Sequence, residues 1–149
     1  MDIESFLQDQ GVQFEVIPHE QAFSAQEVAA TEHVTGHIFA KTVIASGGGD
    51  TYMLVLPASR HVDFQKASAA AGCELMMVGE DEMKSLFPDS QIGAEPPFGS
   101  QYGLQTIVDE HLAEQGQIVF RGCSHDRTIK MSYADYERLE NPTVAPLAI

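Results

Sequence analysis

The chain of 149 residues has no tryptophan, two cysteines, and eight lysines and arginines against 22 aspartates and glutamates, a formal net charge of −14. Each shortage excludes something. Cys73 and Cys123 have no CxxC spacing; they rule out a disulfide scaffold and read as free thiols, small core residues in a reducing compartment. So few cations exclude broad, tight binding to duplex DNA or anionic lipid, which needs clustered Lys and Arg. No apolar run is long enough to span a bilayer, and the opening MDIESFLQDQ has no basic segment ahead of an apolar one. Neither a membrane span nor a signal peptide is expected, which points to the cytoplasm. What is present, 44% hydrophobic and 20% charged residues with 12 Gly and 7 Pro, is the composition of one ordinary folded domain.

Helical and strand-like segments alternate without repeats or a long linker. Ile3, Phe6 and Leu7 sit at helical spacing before Gly11, and Val12, Phe14 and Val16 then alternate as a strand ending at Pro18. Ser24-Ala25-Gln26-Glu27 is a capping-box pattern that starts a second helix near residue 25. Residues 38–46 are apolar on both faces and read as a central strand covered on both sides; Gly47-Gly48-Gly49-Asp50 turns the chain, and Tyr52 to Leu56 returns as its hairpin partner. Asp63 caps a helix that stops at Gly72, followed by a strand over 75–78 and an acidic helix over 80–87. A Gly- and Pro-rich loop from Pro88 to Gly103 leads to strands at 104–108, 117–121 and 128–131, a last helix capped by Ser132, and a Pro-containing tail from about 141. Hairpins mixed with crossover helices imply a single compact α+β domain, residues 1–149, built on a mixed β-sheet flanked by helices.

Lys41 is the first basic side chain, preceded by seven carboxylates, and period two places it with Phe39 and Val43 on one face of the residue 38–46 strand. An ammonium there is either a structural ion pair with a snorkelling stem or a cation lining a pocket that binds an anionic or carbonyl oxygen. The loop Gly93-Ala94-Glu95-Pro96-Pro97-Phe98-Gly99 is either a plain connector or a rigid frame whose amides meet an oxyanion. His33 and His37 are four apart, but Gly36 and the strand after it argue against a shared helical face, and no HExxH accompanies them, so no metal is expected. The glycine run lacks the Lys-Ser/Thr and helix of a phosphate loop, and no GxSxG elbow exists. Asp109 closes an apolar strand as a helix cap or an acid–base candidate. His19 and His125 stand at strand ends, where pocket rims and solvated imidazoles both occur.

Four motifs in order, Ala40-Lys41-Thr42, the Gly93-xxx-Pro97 loop closing with Phe98-Gly99, Thr106-Ile107-Val108-Asp109, and Gly122-Cys123-Ser124-His125, resemble the YbaK/prolyl-tRNA-synthetase-associated domain family from about Phe6 to Leu139. The resemblance implies a domain that hydrolyses the ester joining a wrong amino acid to the terminal adenosine of tRNA, acting free of a synthetase. It implies attack by water helped by the substrate's ribose hydroxyl, with no cofactor and no protein nucleophile. On that reading Lys41, Gly93, Pro97 and Gly99 are catalytic, and His19, Phe39, Val43, Phe98, Asp109, Gly122 and His125 bind substrate. The expected partner is the aminoacyl-tRNA acceptor end, with no DNA and no membrane, and the chain acts as a monomer or weak homodimer. Two departures stand out: Cys123 falls where the family commonly has glycine, and Arg121 and Thr128 fall where the cysteinyl-tRNA branch has serine and aspartate. That argues against cysteine specificity and makes Arg121 an added phosphate contact. The alternatives are a non-catalytic module that binds an amino acid or aminoacyl-tRNA end, and a hydrolase of small esters. Residues 1–40 and 85–120 contain no Lys or Arg, so any tRNA contact is expected near the acceptor end with a shallow salt slope.

Overall fold

The computed structural model describes residues 2–18 and 36–149, so the helix expected near residue 25, His19 and His33 lie outside the described residues. Asp2 accepts from the Ser5 N–H and caps α1 (Ile3–Asp9), which buries Ile3 and Leu7. β1 (Phe14–Pro18) follows. β2 (Ala40–Gly47) and β3 (Asp50–Pro57) form the expected hairpin; its central residues, Gly48 at φ +60 and Gly49 at φ +87, take the left-handed conformations that a two-residue turn matched to strand twist requires.

Asp63 accepts from the amides of Gln65 and Lys66 to cap α2 (Phe64–Ala71), and Gly72 ends it. Beyond it lie the short β4 (Met76–Met77), α3 (Glu80–Leu86), a single 3₁₀ turn at Gly99–Tyr102, β5 (Gln105–Asp109) and the brief α4 (Glu110–Ala113). β6 (Gln117–Arg121), β7 (Arg127–Ser132), α5 (Tyr133–Glu140) and β8 (Thr143–Ala145) complete the chain.

The result is a compact α+β domain with helices flanking a mixed sheet. That sheet has the order β4-β2-β3-β5-β8, and a second, antiparallel sheet has the order β1-β7-β6. They meet where Phe39 bridges Val119, with the Val119 N–H donating to Ile38 O at 3.0 Å. The larger core lies between the sheets, around Met53, Val55, Phe98, Phe120, Ile129 and Tyr136; a smaller one under α2 takes Tyr52, Leu54, Ala67 and Ile107.

Two expectations are corrected. The doubly covered strand is β3, buried from Tyr52 to Pro57, because it is the middle strand of five; β2 is only half-buried from Lys41 to Val43. The tail is a structural element: β8 pairs in parallel with β5, and residues 147–149 exchange hydrogen bonds with His61 and Asp63. Burial of Leu147, fully covered, anchors it.

Candidate active-site cleft

β2 is unevenly paired on its outer edge. β6 reaches it at Phe39 and β4 at Ala45 and Ser46; between them, among the described residues, no strand pairs with it. Phe39 O accepts from Ala58 on the β3 side and Ile44 O accepts from Val78 on the other side. The alternation of an antiparallel ladder therefore turns the N–H and C=O of Thr42 outward.

A cleft of about 480 Å³ opens over this edge, within the range of small-molecule sites. Its walls are β2 from Thr42 to Ile44, Met77 and Val78, α3 through Glu80 and Met83, and the loop at Ile92, Gly93 and Glu95. Apolar side chains dominate, and the charged residues lining it are both carboxylates.

The loop is held against the turn between β6 and β7. Gln91 N–H donates to Cys123 O at 2.9 Å and Cys123 N–H to Ala94 O at 3.0 Å. The Arg121 guanidinium donates to Gly93 O at 2.6 Å, His125 Nε2 donates to Ile92 O at 2.8 Å, and the His125 amide donates to Gln91 Oε1 at 2.7 Å. Cys123 takes φ +72 here, the conformation that explains why glycine suits this position. Gly93 takes φ +85 and lies under Arg121 and His125, with 3.6 Å from each to a hypothetical Cβ.

At the base of the cleft Glu95 is only 3% exposed. Its Oε1 accepts from the Gly93 N–H at 3.0 Å, and its Oε2 lies 3.5 Å from the Thr42 hydroxyl, a loose contact. Burial pushes its carboxyl above the usual carboxylate range, against the opposing pull of backbone hydrogen bonds, the Thr42 hydroxyl and, last, the Arg121 charge.

Of the residues expected to act, Val43 and Gly93 line the cleft. Lys41 is half-buried at the start of β2 on the face opposite Thr42; among the described residues it has no ion-pair partner, and burial lowers its ammonium below the ordinary lysine value. His125 holds the loop rather than facing the cleft.

The others are placed elsewhere. Phe98 is fully buried, in edge-on contacts with Phe6, Phe120 and Tyr136 at centroid distances of 5.1 to 5.8 Å. Phe39 is buried at the junction of the sheets. Pro97 O accepts from the Tyr136 hydroxyl at 2.7 Å, and Gly99 leaves no room for a Cβ beside Thr106 and Met53. Gly122 packs on Ile129 and borders a separate shallow depression beside Asp2 and Arg127. Asp109 is fully buried: Oδ2 accepts from the backbone and ring of His111 and Oδ1 from Leu147 N–H, so it is a cap and a staple for the tail.

Four of the loop's amides are likewise spent inside the protein. Gly93 N–H donates to Glu95, Ala94 to Gln91 O, Phe98 to Pro96 O and Gly99 to Thr106 Oγ1, while Pro96 and Pro97 have none. These internal bonds thin the expected row of amides facing a carbonyl, and the outward N–H of Thr42 is a further backbone donor at the cleft. The expectation missed Glu95 and Thr42. Glu95 carried a signal, a carboxylate in a loop otherwise of Gly, Ala, Pro and Phe; Thr42 carried none, because an open strand edge is a long-range property.

No curated protein sequence matches the chain. Among solved structures it is similar to a hypothetical protein, at 18% identity and a TM-score of 0.90 with 100% of both chains covered. It is also similar to a candidate trans-editing enzyme for prolyl-tRNA synthetase, at 20% identity and a TM-score of 0.85, covering 99% of this chain and 95% of that one. A candidate signal-transduction protein from Marinobacter aquaeolei VT8 carries the same fold in 30% of its length, at 15% identity and a TM-score of 0.76. The family model of the aminoacyl-tRNA editing domain matches residues 19–139, and the chain belongs to that family.

Proposed function

We propose that this chain is a free-standing deacylase that hydrolyses the ester of a mischarged tRNA in the cleft over the β2 edge. The observation that carries the reading is the coincidence of family membership with a cleft of about 480 Å³, lined by Thr42, Val43 and Ile44 of β2 on one side and the Gly93 loop on the other, with Lys41 next in the same strand. Water attacks the ester carbonyl, the bond from carbonyl carbon to ribose oxygen breaks, and the ribose oxygen leaves with a proton; the neighbouring ribose hydroxyl assists. The outward Thr42 N–H is a backbone donor available to the developing oxyanion. Lys41, an ammonium beside that edge with no ion-pair partner among the described residues, in a protein of net charge −14, meets the terminal phosphate or ribose. The cytoplasm, where charged tRNA is used, is the matching location.

Lys41→Ala tests this. It lowers deacylation of a misacylated tRNA by about 100-fold or more, without lowering Tm, since burial already opposes its charge. The assay runs across a panel of misacylated tRNAs; full retained activity in the variant overturns the role of Lys41. A panel left wholly intact by the wild type, with ligand binding retained, assigns the cleft to binding alone.

A further inference from the structure

The cleft is chemically lopsided. Its described lining holds two carboxylates, Glu80 and Glu95, among apolar walls, and neither lysine nor arginine. Glu95 is nearly sealed from solvent, yet only one of its oxygens is firmly held: Gly93 N–H fixes Oε1, while Oε2, toward Thr42, has a loose contact at 3.5 Å. A buried carboxylate oxygen with spare acceptor capacity is unfavourable unless a donor arrives, and a cationic donor offsets its desolvation best. In an aminoacyl ester the carboxyl is esterified, so the α-ammonium is the one charge every such group carries.

Resting on the deacylase reading, we propose that Glu95, with the Thr42 hydroxyl, receives the free α-ammonium of the aminoacyl group, so that the cleft accepts aminoacyl esters and rejects those whose amine is blocked. The recognised chemistry is a primary ammonium one carbon from an ester, and the acidic lining keeps tRNA phosphates outside. Glu95 orients the ester against the β2 edge by holding the amine; it moves no proton in the reaction.

The test compares one tRNA carrying the same amino acid with a free or an N-acetylated amine, in the wild type and in Glu95→Gln. The side-chain amide of that variant retains an oxygen for the Gly93 N–H, and a Tm no lower than that of the wild type verifies the fold. The wild type should hydrolyse the free-amine ester at least about 10-fold faster, and Glu95→Gln should slow that substrate by about 10- to 100-fold while leaving the acetylated one unchanged. Thr42→Val should reduce the preference in the same direction, by less. Equal loss on both substrates, as a general base would give, overturns the proposal, and so does equal wild-type activity on both. Binding of an amide-linked aminoacyl adenosine, which cannot be hydrolysed in this way, separates the two readings. If no ester is cleaved but the free-amine analogue binds the wild type and not Glu95→Gln, deacylation fails and amine recognition stands. Binding that ignores both acetylation and Glu95→Gln overturns amine recognition, whatever happens to esters.

Discussion

The two halves of the loop between α3 and β5 each contain or receive a buried carboxylate, and they treat it in opposite ways. In the rear half, Glu140 of α5 reaches in and accepts from Ser100 N–H at 3.0 Å, Ser100 Oγ at 2.6 Å and Thr106 Oγ1 at 2.5 Å. Around it Phe98 and Gly99 are sealed into the core. In the front half, Glu95 accepts one good bond and one loose one, and burial drives its proton affinity up. A carboxylate saturated with donors is a fastening; one left short of donors at the base of a cleft is a receptor. The rear half anchors the loop so that the front half can remain under-satisfied.

The contrast breaks most easily at the rear. Glu140→Ala leaves a hydroxyl and an amide of Ser100 and the Thr106 hydroxyl short of an acceptor, a cost of about 3 kcal/mol, or a fall of about 6 to 12 °C in Tm. A fall no larger than that from an exposed carboxylate would mean that Glu140 is no fastening. A smaller effect belongs to Tyr136→Phe, which removes the fully buried donor to Pro97 O at about 1 kcal/mol in chemical denaturation. Both changes act on the anchor, and Glu95-dependent selectivity should survive in the folded fraction.

The sequence made the anchor's scaffold legible and its depth illegible. The spacing of Ile3, Phe6 and Leu7, the capping residues Asp63 and Ser132, and the turn glycines act through neighbours within a few positions, so α1, α2, α5 and the β2–β3 hairpin fall where the pattern puts them. Asp109 as a helix cap was readable for the same reason. β8 was not: three residues after Asn141 become a strand only because β5 offers its edge. Apolarity said that Phe39 and Phe98 are buried, and nothing in it distinguishes burial against a ligand from burial against Phe120 or Val119. The cleft depends on where β4 and β6 stop pairing with β2, a register fact that no local pattern contains.

The smallest effect on stability is the sharpest test of the comparison. Because burial raises the folded-state pKa of Glu95 above its unfolded value, near 4.3 for a free glutamate, folding favours the protonated carboxyl. Its contribution is fully present below the unfolded pKa and is lost as pH rises through the raised folded value. Glu95→Gln keeps an uncharged side chain at every pH, so that loss disappears. The variant should therefore match or exceed the wild type at neutral pH by about 1 kcal/mol or less, and its advantage should grow from about pH 4 upward before levelling off. Denaturant titrations of both proteins across that range measure the difference, in which the titrations of other groups cancel. A difference that moves against the variant as pH rises would show that the ionised form of Glu95 is the one the fold stabilises. The front carboxylate would then be a second fastening, and the distinction between the two halves of the loop would fail.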